Sequence, residues 1–429
     1  MRKVGVAILG LGVVGGGTYK ILTEHREMYR KAYGADITVE AVLELRKDRA
    51  LALGVPESRI ASSIAEICSN PDVDIVVEVM GGVEPAKTFV LAALNAGKSV
   101  VTSNKEMFCK YSYELERVAK HNRVGLYYEA TCVGGVPVIR ALLDNLQGNV
   151  ITSLVGIVNG TTNYILSKMS GSGADYSEAL KEAQRLGYAE ANPTADVEGY
   201  DATYKLSILS SLAFHTKIPY TKIYREGITA VTPADIAYGK QLGYCLKLLA
   251  IGKNTERGIE VRVHPTFIRQ NHPLASVNDS YNAVYITGDS VEDVMLYGRG
   301  AGAEPTGSAI VGDIIYCATH LQHNYSTFDN TEKASPSTKF VNNFESAYYI
   351  RISAEDKAGV LSKITSILSR NGISVAQIIQ EEDKDPDGKV PIIVVTHVTH
   401  EHNINKAVQD INAGTGDYAA VSSVIRVYD

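Results

Sequence analysis

Residues 4–15 read VGVAILGLGVVG. Six apolar residues, five of them small or β-branched, run straight into Gly10-Leu11-Gly12-Val13-Val14-Gly15. The first half favours a strand, and a G-x-G-x-x-G that follows a strand and opens a helix forms a dinucleotide-binding turn. Gly10 allows the tight turn, Gly12 lets the backbone approach a pyrophosphate, and Gly15 lets helix and strand pack closely. Val13 and Val14 then stand at the helix N-terminus that faces the anion.

Outward from this loop, ITVEAVL, DIVVEVM, SVVTS and VGLYY are further strand candidates, alternating with amphipathic helical stretches as far as about Ala130. That alternation predicts an α/β, doubly wound Rossmann domain over residues 1–133. The helix after the glycine loop is expected to continue through EHREMYRKAYGAD to the second strand. Residues 134–325 mix longer helices with strands such as SLVGIV and NAVYIT, which reads as an α+β catalytic domain that carries the substrate. A polar linker, residues 326–347, leads to 348–429, whose order of strand, helix, strand, strand, helix, strand is the ferredoxin-like split βαβ pattern.

With 48 acidic against 42 basic side chains and a net charge of −6, the chain has no surplus cation for a phosphate backbone, so nucleic acid is not an expected partner. The five cysteines are scattered and form no C-x-x-C, which suits a reducing cytoplasm and gives no structural zinc. The N-terminal apolar run imitates a secretory signal, but its glycines weaken a helix and no cleavage site follows. No stretch is long and apolar enough to span a membrane. A cytoplasmic enzyme with no membrane partner is therefore expected.

The end of the second strand bears on the cofactor. An acid there bonds a ribose 2′-hydroxyl and repels a 2′-phosphate. Glu44 is that acid and tips the reading towards NAD, whereas Arg46, Lys47 and Arg49 could instead take the phosphate of NADP. Further along, PTADVEGYDATYKLSILSSLAF at 193–214 places Asp201 and Lys205 four apart, on one helix face. A surface ion pair would look the same. Reduction of a carbonyl by a nicotinamide, however, needs a proton for the developing alkoxide, and a lysine beside a carboxylate can supply it. The preceding loop offers Glu190 to a substrate ammonium.

The stretch 183–205, AQRLGYAEANPTADVEGYDATYK, closely resembles the signature of homoserine dehydrogenases. GLGVVGGGTYKIL, SNKE at 103–106, EATCVGGVP at 129–137, GIVNGTTNYIL at 156–166 and GRGAGAEPTGSAIVGDI at 298–314 extend the similarity to about residue 325. DKAGVLSKI near the start of the last segment resembles the loop-to-helix motif of ACT domains. The resemblance implies interconversion of L-homoserine and L-aspartate 4-semialdehyde with NAD or NADP, on the route to threonine, methionine and isoleucine.

Carried onto this sequence, the resemblance makes Lys205 the proton donor and Asp201 an orienting carboxylate, and gives the substrate amino group to Glu190. Gly187, Asp196, Asn159 and Thr161 would surround the substrate, Lys105 would lie beside nicotinamide and substrate, and Gly302 would approach the cofactor. A monovalent cation, Na or K, is implied in the hinge, on the Glu129 carboxylate and the carbonyls of Cys132, Gly134 and Val136. The sequence departs from the family where many members carry an arginine after the second strand, since it reads Val42-Leu43-Glu44-Leu45. The ACT resemblance implies threonine as an effector, with Gly359 and Asn371-Gly372 as the motivating residues. An exposed sheet edge in that segment leads to an expected homodimer or homotetramer. Two rival readings are an aspartate-semialdehyde dehydrogenase with Cys132 as nucleophile and a non-catalytic amino-acid sensor.

Overall fold

A computed structural model describes residues 2–320, 338–380, 388–414 and 418–428. The first sheet contains β1 (Arg2–Leu9), β2 (Ala35–Leu43), β3 (Ile75–Glu78), β4 (Ser99–Thr102) and β5 (Leu126–Tyr127), all parallel in the order β2-β1-β3-β4-β5. Val6, Ala7, Ile8 and Leu9 are fully buried. Helices cover both faces, so the central strand reads as an unbroken apolar run. Strand order reverses between β1 and β3, and a ligand crevice is expected at their carboxyl ends.

The helix after the glycine loop is two helices. Val13–Glu24 stops at His25, and Arg26–Tyr33 follows, ending at Gly34 with φ +67°. The second piece turns only Tyr29 inward. It is tied back to β2 through Arg26 and the buried Asp36, at 2.7 Å.

Among the described residues, the second sheet has eleven strands. Its catalytic part holds β6 (Ile151–Ile157), β7 (Tyr224–Arg225), β8 (Tyr244–Thr255), β9 (Gly258–Arg269), β10 (Tyr281–Gly288) and β11 (Glu292–Arg299). The C-terminal part holds β12 (Glu345–Ala354), β13 (Val375–Gln380), β14 (Val390–Thr396), β15 (Thr399–His400) and β16 (Ala419–Tyr428). The path runs β11-β10-β6-β8-β9-β16-β12-β14-β13, with β7 on β9 and β15 on β12. The join is a parallel pairing of Arg426–Tyr428 with Thr266–Ile268. One edge of the C-terminal sheet, expected to be open for self-association, is thus occupied by the catalytic domain, and β13 ends the path at the other side.

Helix Ala303–Thr319, contiguous with the catalytic domain, buries Ile310, Val311, Ile314 and Cys317 against Val4, Val6 and Ile8 of the first domain. Glycine makes this possible, because a Cβ on Gly17 would lie 2.2 Å from the Ala303 carbonyl oxygen. Of the expected linker, residues 326–337 lie outside the described residues. The remainder runs against β9, where the Ile259 N–H donates to Lys339 O and the Val341 N–H to Ile259 O. Among the described residues, no helix is long and apolar enough to cross a membrane.

Candidate active site

A cleft of about 900 Å³ opens at the β1/β3 switch point and runs between the two domains. Val13, Lys105, Asn159, Glu190, Lys205 and Gly302 are among its lining residues. On the first-domain side, Gly10 has φ +91°, and a Cβ on Gly15 would fall 2.0 Å from Gly10 O. Gly12 is open, with only the Arg49 guanidinium within 4.0 Å of a Cβ built there. Gly12 caps the helix without a side-chain bond, so the N-terminal amides face the cleft beside Val13, which is 72% exposed. This set fits a dinucleotide pyrophosphate. Gly302 (φ +124°) begins the helix that closes the opposite rim.

Glu44 stands between the loop and the basic turn. Its Oε2 accepts from Leu11 N at 2.7 Å and its Oε1 from Arg46 N at 3.0 Å. Burial pushes its carboxyl up, but those two bonds and the Arg49 and Arg46 charges outweigh it, leaving the group below the usual range. Arg46 and Lys47 are exposed and Arg49 is half-buried, so an acid and three cations share the corner.

Asp201 and Lys205 lie on helix Tyr200–Ala213, whose apolar residues are almost all buried. Lys205 Nζ is 2.7 Å from Asp201 Oδ2 and donates to Val158 O at 2.7 Å. Lys105 Nζ sits 3.0 Å from Asp201 Oδ1, so one buried carboxylate serves two ammonium groups. Burial opposes its ionisation, yet Lys105 and Lys205 hold its pKa well below the usual carboxylate range. The same charge raises the Lys105 pKa. Asn159 Nδ2 donates to Asp201 Oδ2 at 2.8 Å and to Asp196 Oδ1 at 2.7 Å, while its Oδ1 caps the following helix through Thr162 N. Burial and the neighbouring Asp201 charge raise the Asp196 pKa. Thr161 donates to Tyr188 O at 2.6 Å. Gly187 (φ +78°) and the exposed Glu190 complete the rim.

Sequence reasoning missed Glu78. This fully buried acid ends β3, accepts from Thr102 Oγ1 at 2.6 Å and from Met80 N at 2.9 Å, and so ties the ends of two strands together below the cleft. Burial raises its pKa. Asn104 extends the support, donating to Gly82 O and capping the helix that begins at Lys105. The only signal was an acid at the end of the apolar run DIVVEVM.

In the hinge, the Glu129 carboxylate accepts from Ile139 N at 2.9 Å and Arg140 N at 2.6 Å, and its own N–H donates to Asp313. Burial and the Asp313 charge push it up to about 8. Arg140 meets both buried carboxyls, with its backbone N–H on Glu129 and its guanidinium 3.3 Å from Asp313. A monovalent cation beside Glu129 would favour its ionised form. Gly134 and Val136 lie in the same turn, and the Val136 carbonyl already accepts from Val138 N. Among the described residues, no cluster of three His, Cys, Asp or Glu side chains could hold a metal. Cys132 is fully buried, and burial pushes its thiol up to about 12, which removes the nucleophile that a thioester mechanism would need.

In the C-terminal segment, Gly359 (φ +91°) and Asn371 cap opposite ends of helix Val360–Arg370, about 18 Å apart at helical rise. Within one chain they do not share one small-ligand site. Asn371 and Asp410 bond at 2.9 Å beside a groove of about 460 Å³ between the two helices of this segment.

Residues 10–129 match the NAD-binding domain of homoserine dehydrogenase, 137–315 the homoserine dehydrogenase domain itself, and 348–413 the ACT domain. The homoserine dehydrogenase of Corynebacterium glutamicum is 41% identical over 99% of this chain and 95% of its own length. That of Pseudomonas aeruginosa is 40% identical over 97% of each. The crystal structure of the Thiobacillus denitrificans homoserine dehydrogenase superimposes with a TM-score of 0.92 at 40% identity, covering 100% of this chain and 99% of that one. A hyperthermophilic archaeal homoserine dehydrogenase in complex with NADPH matches 74% of this chain and 98% of its own, with a TM-score of 0.64 at 30% identity. The chain belongs to the homoserine dehydrogenase family, an oxidoreductase with nucleotide-binding, catalytic and ACT domains.

Proposed function

We propose that Lys205, held by Asp201, is the proton donor as this chain reduces L-aspartate 4-semialdehyde to L-homoserine, and the proton acceptor in the reverse direction. The observation that carries this is the Asp201 carboxylate shared by Lys105 and Lys205 in the cleft. Two of the three N–H donors of Lys205 are spent on Asp201 and Val158, and the third is available to a carbonyl oxygen. Lys105, on the other oxygen of Asp201, is placed to polarise the same carbonyl. Glu190 and the Asn159–Thr161 corner would hold the amino-acid end, with Asp196 and Gly187 shaping the rim. A nicotinamide dinucleotide bound over Gly10–Gly15 supplies the hydride. Gly302 closes the facing side of its pocket.

Glu44 favours NAD, and Arg46, Lys47 and Arg49 are the groups that would admit NADP. A sodium or potassium ion would bind at Glu129 with the carbonyls of Cys132, Gly134 and Val136, and neutralise the hinge. The ACT domain would take an amino-acid effector, threonine being the pathway product that fits, and a dimer or tetramer would form around it. Catalysis would take place in the cytoplasm. Lys205→Ala should lower kcat by about 10²–10⁴-fold with cofactor affinity, read by fluorescence titration, almost unchanged. An equal loss of both would overturn the assignment.

A further inference from the structure

Asn282, at the start of β10, is fully buried, and neither Oδ1 nor Nδ2 of its carboxamide has a hydrogen-bond partner. Buried amides are almost always bonded, so an idle one needs an explanation. A Cβ built on Gly300 would fall 1.6 Å from Asn282 Oδ1 and 2.9 Å from Nδ2, and one on Gly160 would stand 3.4 Å from the same oxygen. Both glycines line the cleft. Gly160 begins the helix capped by Asn159, whose amide bonds Asp196 and Asp201. Gly300 begins the turn that reaches Gly302. The hinge closes the other side of this turn, since a Cβ on Gly134 would lie 2.4 Å from Gly300 O and Gly135 N donates to Arg299 O at 3.0 Å. The amide therefore stands behind the seam where the substrate wall meets the cofactor wall.

We propose that Asn282 is a positioning residue for hydride transfer: its buried carboxamide, wedged between Gly160 and Gly300, sets the separation of the substrate wall from the cofactor wall. It occupies the space that glycine at 300 leaves, and its amide oxygen and nitrogen stand against the two segments as a wedge, with neither of them bonded. Reacting atoms must be held about 3–3.5 Å apart, so a small slip between walls slows transfer while each ligand keeps its own contacts. This rests on the wall assignment made for the proposed function.

The test uses Asn282→Leu, which keeps the branched shape but puts two larger methyl groups where the amide oxygen and nitrogen stand, and so widens the wedge. Expected are a kcat about tenfold lower, KM values for homoserine and cofactor each within about threefold, and a larger primary isotope effect on kcat with homoserine deuterated at C4. Gly300→Ala should be nearly inactive alone, and the pair Gly300→Ala with Asn282→Ala should recover to the level of Asn282→Ala, because the clash is gone. Asn282→Ala carries the same kinetic readout should the leucine variant not fold. Full kcat with an unchanged isotope effect, or a lowered Tm with unchanged kcat, would overturn the proposal. Turnover that survives Lys205→Ala would instead sink the wall assignment beneath it.

Discussion

Arg426 Nη1, near the end of β16, lies 2.7 Å from Glu226 Oε2, so a guanidinium of the ACT domain is paired with a carboxylate of the catalytic domain. The same side chain bonds Tyr224 OH at 2.8 Å and Glu401 Oε2 at 3.1 Å. Two residues after Glu226, Ile228 N donates to Val197 O, in the turn that opens into the Asp201 helix. Arg426 is 4% exposed, so removing it leaves the buried Glu401 without its guanidinium and with only the Tyr348 hydroxyl, at 2.6 Å, as a side-chain partner among the described residues. Arg426→Met should lower the unfolding free energy by about 3–5 kcal/mol, measured by urea denaturation. A loss below about 1 kcal/mol would mean that solvent screens the cluster.

His264 gives the same junction a pH dependence. Its fully buried ring stacks on Phe344, and burial first, then the Arg426 and Arg262 charges, push its pKa well below the usual value. An unfolded histidine takes its proton near pH 6.5, whereas this one stays neutral. Its contribution to stability is therefore present above about pH 6.5 and lost as pH falls below it. Melting curves from pH 8 to 5 should show wild type losing Tm faster than His264→Phe. Parallel slopes would show that the imidazole is not the group responsible.

These two residues also mark what the sequence could not show. The glycine loop and the Asp201–Lys205 pair were readable because their signals are local: three glycines at fixed spacing, and an i, i+4 pair at the head of an apolar helix. The parallel pairing of β16 with β9 joins strands about 160 residues apart, and no local pattern encodes it. Nothing in EHREM marks the break at His25, since neither glycine nor proline stands there. Gly17 and Gly307 were visible as letters, but only the fold shows that they let two helices touch across domains. Glu78 and Asn104 were hidden for a related reason, because their partners come from neighbouring strands and loops.

The hinge charge predicts an ion requirement. Glu129 and Asp313 are both buried, and the Arg140 guanidinium pairs with Asp313 whereas Glu129 is held by backbone N–H groups, so a small monovalent ion beside Glu129 should favour its carboxylate and stabilise the site beyond general screening. Replacing sodium or potassium chloride with tetramethylammonium chloride at equal ionic strength should lower Tm and kcat of the wild type. Glu129→Gln, which keeps one amide oxygen as acceptor for either Ile139 N or Arg140 N and removes the charge, should be insensitive to the exchange. Equal sensitivity in both proteins would remove Glu129 from the cation's ligands.

The choice of cofactor turns on the corner where Glu44 bonds Leu11 N and Arg49 reaches towards Gly12. A carboxylate beside the adenosine ribose accepts from a 2′-hydroxyl and repels a 2′-phosphate, and a guanidinium does the opposite. Glu44→Ala should therefore cut kcat/KM with NAD by about tenfold or more, the size of one charge-assisted hydrogen bond, while NADP loses less or gains. Arg49→Ala should reverse the pattern and penalise NADP. Because Glu44 also anchors the loop, a general fall with both cofactors is the competing outcome. The ratio of the two kcat/KM values, unlike either value alone, cancels loop damage. An unchanged ratio in both variants would place the selectivity elsewhere, with Arg46 and Lys47 next to be tested.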